Sequence, residues 1–265
     1  MSDELIITHA EHVRTLRLNR PATRNALSAE LAWGIVRAIE QAKSDDACSL
    51  VVITGTGDAF CSGLDLKQPG GVGDPQSAQT SHLDDIGWVG RFLLTLRQSC
   101  DKPVIAAING VAVGAGLSLA MAADIRIMAR GARLMAGYPR IGGSPDGGLT
   151  FTLPQAIGYE RALRFLLENR TVNGPEALEL GLVSEIVDDS ELPERIAEYA
   201  GTVAGLSPLT LRLTKRGIAR ATASIDLEAQ VRFELNNIKT AFASQDGREA
   251  RRAFLEKRPP VFRGR

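Results

Sequence analysis

Two short apolar runs, Leu50 to Thr54 and Val104 to Ile108, constrain the chain most, because each is followed closely by a cluster of small residues. A run that is apolar throughout marks a strand buried on both faces, which requires layers above and below it. The first leads into Ala59-Phe60-Cys61-Ser62-Gly63-Leu64-Asp65-Leu66, the second into Asn109-Gly110-Val111-Ala112-Val113-Gly114-Ala115-Gly116-Leu117. Small residues let a ligand approach backbone N–H groups closely. A helix opening at the second cluster adds unsatisfied donors and about half a unit of positive charge. Two such N–H groups converging on one point make an oxyanion hole. Either cluster taken alone is better explained by tight turns and close strand–helix packing.

The rest of the pattern is built around these runs. Leu5 to Thr8 and Val13 to Leu18 read as a hairpin. Asn19 to Leu27 is a loop, and Ser28 is placed to cap a helix to about Ser44, with Leu31, Ile35, Ala38 and Ile39 on one face. Lys67 to Leu83, rich in Gly, Pro, Ser and Gln, reads as a mobile surface loop of the kind that covers sites. A helix over about 85–97 follows. Gly114 to Ala123 is expected to be a helix and Ile125 to Ala129 a strand. Asn173-Gly174-Pro175-Glu176 combines a cap, an early Pro and an acid, so a helix starts there and stops at Gly181. Val183 to Val187 is a last short strand. Beyond Asp188, Glu191 to Ala204, Pro208 to Ala221, Leu227 to Ala243 and Gly247 to Glu256 are helical with no strand signal. An α/β region therefore precedes a helical tail, whose apolar residues must face the core or another subunit.

Composition removes several classes. Lys+Arg and Asp+Glu are both 31 in 265 residues, without a basic stripe, which argues against nucleic-acid binding. No stretch of 18 apolar residues suggests a membrane span. The start, Met1-Ser2-Asp3-Glu4-Leu5, lacks a basic n-region. Cys48, Cys61 and Cys100 form no CxxC pair, so no zinc site or disulfide framework is expected, and a reducing cytoplasm fits. His9, His12 and His82 make no metal-binding pattern. Gly55-Thr56-Gly57-Asp58-Ala59-Phe60 nearly matches a dinucleotide fingerprint, but its last position is Phe and no helix opens after it.

The two small-residue stretches, at this spacing, resemble the crotonase superfamily of enoyl-CoA hydratases and isomerases. Asn19-Arg20-Pro21 with Asn25-Ala26-Leu27, the segment from Lys102 to Gly110, Ala123-Asp124-Ile125-Arg126, the segment from Ala177 to Val183, and Ala253 to Arg258 match it too. The resemblance covers nearly the whole chain. It implies a spiral of ββα repeats over 1–195 carrying an acyl-CoA site, a helical trimerisation region over 196–265, and a homotrimer or homohexamer. It also implies no permanently bound cofactor, coenzyme A being part of the substrate. Carried over by position, the backbone N–H groups of Leu64 and Ala115 are the oxyanion donors. Arg24, Ala26, Ser62, Asp65 and Leu66 line the coenzyme A pocket. Phe254 and Lys257 reach the coenzyme of a neighbouring subunit, although Lys257 equally fits a solvated helix end.

Thioester enolate chemistry moves a proton at the carbon next to the carbonyl. Classical hydratases of the family use two glutamates, which the resemblance puts at Ser118 and near Arg140; neither is acidic here. Asp146 resembles the single catalytic Asp of members that shift double bonds in ring-derived or unsaturated acyl-CoAs. It also resembles the nucleophilic Asp of a branch that displaces halide from aromatic acyl-CoAs. That branch carries a Trp where Tyr138 stands, placing Tyr138 at the substrate, and a catalytic His where this chain has Arg91. Apart from the resemblance, Asp146-Gly147-Gly148 is ordinary turn or cap chemistry. The favoured reading is double-bond isomerisation with Asp146, enclosed by apolar residues and raised in pKa, as proton shuttle. Its rivals are a hydratase or thioester hydrolase using Asp146 and water, and a non-catalytic acyl-CoA-binding or scaffold protein.

Overall fold

A computed structural model describes residues 4–67, 86–223 and 226–264. The glycine-rich segment expected to be a mobile loop, with His82, lies outside the described residues except for Lys67. Strands β1 (Leu5–Ala10) and β2 (Val13–Leu18) form the expected antiparallel hairpin, and β2 then pairs in parallel with β3 (Leu50–Gly55). Between them runs helix α1 (Ala29–Ser44), whose N-cap Ser28 accepts a hydrogen bond from the Leu31 N–H at 3.0 Å.

Three successive units then repeat one pattern. A long strand, β3, β5 (Val104–Ile108) or β7 (Ile125–Ala129), is followed by a short one, β4 (Ala59–Cys61), β6 (Val111–Val113) or β8 (Arg133–Met135). A helix closes each unit: α2 (Gly87–Leu93), α3 (Ala115–Ala122) or α4 (Leu149–Ile157). The long strands lie side by side in a six-stranded sheet of order β1-β2-β3-β5-β7-β10, and the short ones in a four-stranded sheet of order β4-β6-β8-β9. Each unit thus advances one strand in both sheets, giving a spiral of repeats such as the resemblance implies. β3 and β5 are buried at every position. Helix α3 is buried along its whole length, and its polar side chain, Ser118, finds its partners inside the protein.

Some elements differ from expectation. The helix expected over 85–97 is α2 followed by a π-helical segment, Leu94–Ser99. That segment carries Arg97 to the end of α3, where its guanidinium donates to the carbonyls of Met121, Ala122 and Ala123, satisfying acceptors that a helix C-terminus leaves open. Helices α4 and α5 (Tyr159–Glu168) have no side-chain cap, their N-caps being Gly148 and Gly158, so no start signal marks them. The chain continues through β9 (Val172–Asn173), α6 (Gly174–Leu180) and β10 (Glu185–Val187). Asn173 caps α6 and Gly181 ends it in the left-handed region.

The last helices are α7 (Leu192–Ala204), α8 (Pro208–Ala223), α9 (Leu227–Ala243) and α10 (Gln245–Glu256). α7 packs on the six-stranded sheet opposite α1. α8 is tied to the core by Lys215, whose ammonium meets Asp124 at 2.7 Å and the Lys102 carbonyl at 2.7 Å.

Candidate active site

The loop after β4 is fixed by a second loop, residues 23–27. Ser62 N–H donates to the Arg24 carbonyl at 3.0 Å, and Ser62 Oγ to that of Thr23 at 2.9 Å. Leu27 N–H donates to Gly63 O at 2.7 Å and Asp65 N–H to Leu27 O at 3.0 Å, making a short parallel bridge between Leu27 and Leu64. The bridge uses the amides on either side of Leu64 and leaves the Leu64 N–H out.

Side chains hold this pair of loops in place. Asp65, only 5 % exposed, accepts a charge-assisted bond from Arg20 at 2.8 Å and the Lys67 N–H at 3.1 Å. Arg20 also donates to the Ala26 carbonyl and pairs with Glu4. Asn25, fully buried in the left-handed region (φ 57°), donates to the carbonyls of Thr56 and Ala59. Asn109 accepts from Gly55 N–H and donates to Gly57 and Ala59. Most of these bonds join segments distant in sequence.

The second loop brings a helix end to the first. Gly114 (φ 54°) donates to Ala136 O at 3.1 Å, and Ala115 is the first residue of α3, so its N–H has no partner within the helix. Among the described residues, no acceptor engages the N–H of Leu64 or of Ala115. The two lie close together: a Cβ on Gly63 would fall 3.7 Å from the Ala115 nitrogen and 2.8 Å from the Val113 carbonyl oxygen. One on Gly116 would strike the Cys61 carbonyl at 2.2 Å. The glycines therefore permit close packing and, at once, leave an open approach to two adjoining amides.

One turn into α3 stands Ser118, 1 % exposed. Its hydroxyl contacts that of Tyr138 at 2.9 Å, and Tyr138 donates to Asp146 Oδ1 at 2.8 Å. Burial raises the Tyr138 pKa, so the phenol stays neutral and able to donate. Desolvation also raises Asp146, against the opposing hydrogen bond from Tyr138. Asp146 is exposed rather than enclosed by apolar residues as the sequence suggested; protein crowding it from the Tyr138 side is enough to disfavour its charge. Its side chain caps no helix, since the N-cap of α4 is Gly148. The Cys61 thiol is fully desolvated and pushed up to about 12, which removes it as a nucleophile.

Of the candidates read from sequence, Arg24, Ala26, Ser62, Leu64, Asp65 and Leu66 share the paired loops, while Ala115, Tyr138 and Asp146 meet around Ser118. Leu66 and the Arg24 side chain are exposed, whereas Ala26 and the Asp65 side chain are buried. Phe254, 82 % exposed, and Lys257 lie at the end of α10, and among the described residues no hydrogen bond or ion pair joins them to these loops. Arg140 is exposed on a 3-10 turn, Tyr138–Ile141. A separate cavity of about 710 Å³ lies between α7 and the six-stranded sheet; it is lined by Arg17, Asn109, Asp189 and Ile196 and contains neither Asp146 nor the two amides. Arg20, Asn25 and Asn109 went unrecognised as site-forming residues. The motifs containing them were visible in the sequence, but their partners were not.

Fold and site together define an α/β spiral that sets two unused backbone amides beside one partly desolvated carboxyl group. Residues 8–265 match the sequence profile of the family described as enoyl-CoA hydratase/isomerase. The chain is 35 % identical over 267 residues to the 1,2-epoxyphenylacetyl-CoA isomerase of Escherichia coli, covering 99 % of each. It is 32 % identical to the crotonyl-CoA hydratase of Syntrophomonas wolfei, covering 98 % of each. The crystal structure of an enoyl-CoA hydratase from Bacillus anthracis superposes with a TM-score of 0.88 at 32 % identity, over 99 % of this chain and all of that one. The chain belongs to the enoyl-CoA hydratase/isomerase family, whose members act on acyl-CoA thioesters.

Proposed function

We propose that the protein isomerises the double bond of an unsaturated acyl-CoA, with Asp146 as the single proton shuttle. The observation that carries this reading is one carboxyl group, Asp146, linked through the Tyr138 hydroxyl to Ser118, the position that the resemblance gives to a hydratase glutamate. Asp146 is hydrogen-bonded to Tyr138, and among the described residues no other charged group is a cause of its raised pKa. One acid–base group serves an isomerase, because a proton taken from one carbon returns to another. A carboxyl raised toward neutrality exchanges that proton more readily.

The thioester oxygen sits between the Leu64 and Ala115 N–H groups, where the positive end of α3 adds to the stabilisation of the enolate. Loss of one such donor typically costs ~3 kcal/mol of transition-state stabilisation. The Arg24 side chain, Ala26, Ser62 and Leu66 flank the coenzyme, and the buried Asp65 serves by fixing the Leu64 peptide through Arg20. Coenzyme A enters as part of the substrate, with no separate cofactor. The exposed apolar residues of α9 support a trimer or a pair of trimers, in which Phe254 and Lys257 meet a neighbour's coenzyme.

Turnover of an unsaturated acyl-CoA in ¹⁸O-labelled water tests the reaction type. Isomerisation leaves the product without label, whereas incorporated oxygen assigns a hydratase or hydrolase that uses Asp146 and water. Asp146→Asn should lower kcat by ~10²–10⁴-fold with coenzyme A binding retained. Undiminished turnover in that variant removes Asp146 from the chemistry. Binding without turnover of any acyl chain by the unaltered protein points to a non-catalytic role.

A further inference from the structure

We propose that Ser118 is a positioning residue, whose hydroxyl and that of Tyr138 form a reversible relay keeping the Asp146 carboxyl hydrogen-bonded both with and without its proton, a role that rests on the reading of Asp146 as shuttle. Four short contacts define it. Tyr138 Oη lies 2.8 Å from Asp146 Oδ1 and 2.9 Å from Ser118 Oγ, and Ser118 Oγ lies 3.1 Å from the Asp146 carbonyl oxygen and 3.3 Å from that of Gly114. Each hydroxyl brings one hydrogen and can accept as well as donate, so the arrangement has two complete settings.

With Asp146 ionised, Tyr138 donates to the carboxylate and Ser118 donates to Tyr138. With Asp146 protonated, its O–H donates to Tyr138, Tyr138 donates to Ser118, and Ser118 donates to the Asp146 carbonyl. No hydrogen is lost or gained within the relay beyond the one Asp146 exchanges with substrate. Turning the Ser118 hydroxyl leaves no acceptor without a partner. The Gly114 carbonyl already takes the Ser118 N–H at 2.9 Å, and the Asp146 carbonyl takes the Leu149 N–H at 3.1 Å. Ser118 and Tyr138 are 1 % and 5 % exposed, so solvent has little access to replace either hydroxyl.

A fixed donor in place of this pair would favour the carboxylate alone, and a fixed acceptor the acid alone. A shuttle occupies both states in each cycle, and a relay that reverses serves both. Among the described residues, other charges do not do this work. Arg91 on α2 and Arg140 on the 3-10 turn are not among the causes of the Asp146 shift, and α3 and α4 carry no ionisable side chain.

The experiment is a ¹³C NMR titration of the Asp146 carboxyl, assigned by its absence in Asp146→Asn, in the full-length protein and in Ser118→Ala and Tyr138→Phe. It is paired with the pH dependence of kcat and KM for trans-3-hexenoyl-CoA. Tyr138→Phe should move the carboxyl midpoint upward by about one pH unit, the size expected for a hydrogen bond to a charged group. Ser118→Ala should move it the opposite way, because Tyr138 then keeps only the carboxyl as acceptor and becomes a fixed donor that favours the carboxylate. The acid limb of kcat should shift with it and KM stay nearly unchanged. Circular dichroism matching the unaltered protein excludes misfolding as the cause. A Ser118→Ala midpoint equal to that of the unaltered protein, or higher, overturns the relay while Asp146→Asn remains inactive. Activity surviving in Asp146→Asn instead overturns the shuttle reading, and the titration, which needs no substrate, still decides the relay.

Discussion

Gly63 shows how much one residue carries. Its φ of +98° lies where side chains are strained, and a Cβ there would press on the Val113 carbonyl beside the Ala115 amide. Gly63→Ala should therefore cost about 1–3 kcal/mol of stability through backbone strain. It should also lower kcat by ~10²–10³-fold through displacement of one amide donor; chemical denaturation and steady-state kinetics measure the two separately. Asp146 makes the opposite trade. A carboxyl whose folded pKa is raised adds stability at pH below its ordinary value and loses it as pH rises through the raised one. Asp146→Asn should thus raise Tm at neutral pH while removing turnover, the signature of a group kept for chemistry. A Tm that falls at neutral pH would instead assign Asp146 a structural role.

At the scale of elements, the C-terminal segment after α10 is tied down by carboxylates. Glu249 takes Arg258, Arg252 and the Val261 N–H, with Arg258 the largest influence, and its pKa falls to about 2. Asp246 accepts from the backbone N–H groups of Arg263 and Gly264. A lowered carboxylate contributes stability above its ordinary pKa near 4.5 and loses it as pH falls toward about 2. Thermal melts should therefore show the unaltered protein losing its advantage over Glu249→Gln progressively between those two pH values. Parallel curves would show that the pairing adds nothing to the folded state. The elements also mark where local sequence is informative. α1 and α6 were legible because Ser28 and Asn173 cap them and their apolar residues recur at helical spacing. β4, β6, β8 and β9 were not, being two or three residues long with no room for alternation.

For the whole molecule, the spiral leaves α9 with a stripe of exposed apolar residues. Val231, Leu235, Ile238 and Phe242 recur at helical spacing and stand 45–63 % exposed. Exposed apolar surface of this kind marks an interface between proteins. If the proposed trimer forms through it, Ile238→Asp should shift the protein toward monomer in sedimentation velocity while circular dichroism stays constant. An unchanged sedimentation coefficient would place the interface elsewhere.

By itself the sequence determined the local features: which runs are buried strands, where caps begin and glycines end helices, and which small-residue clusters give ligands access to backbone. It determined these because each depends on neighbours a few residues apart. Its resemblance to the crotonase superfamily supplied the spiral, which period and propensity do not encode. Only the tertiary structure decided that Arg20 meets Asp65, that Ser118 and Tyr138 converge on Asp146, and that the Leu64 and Ala115 amides adjoin unused. Those outcomes depend on how successive turns of the spiral stack, and stacking joins residues that no local periodicity relates.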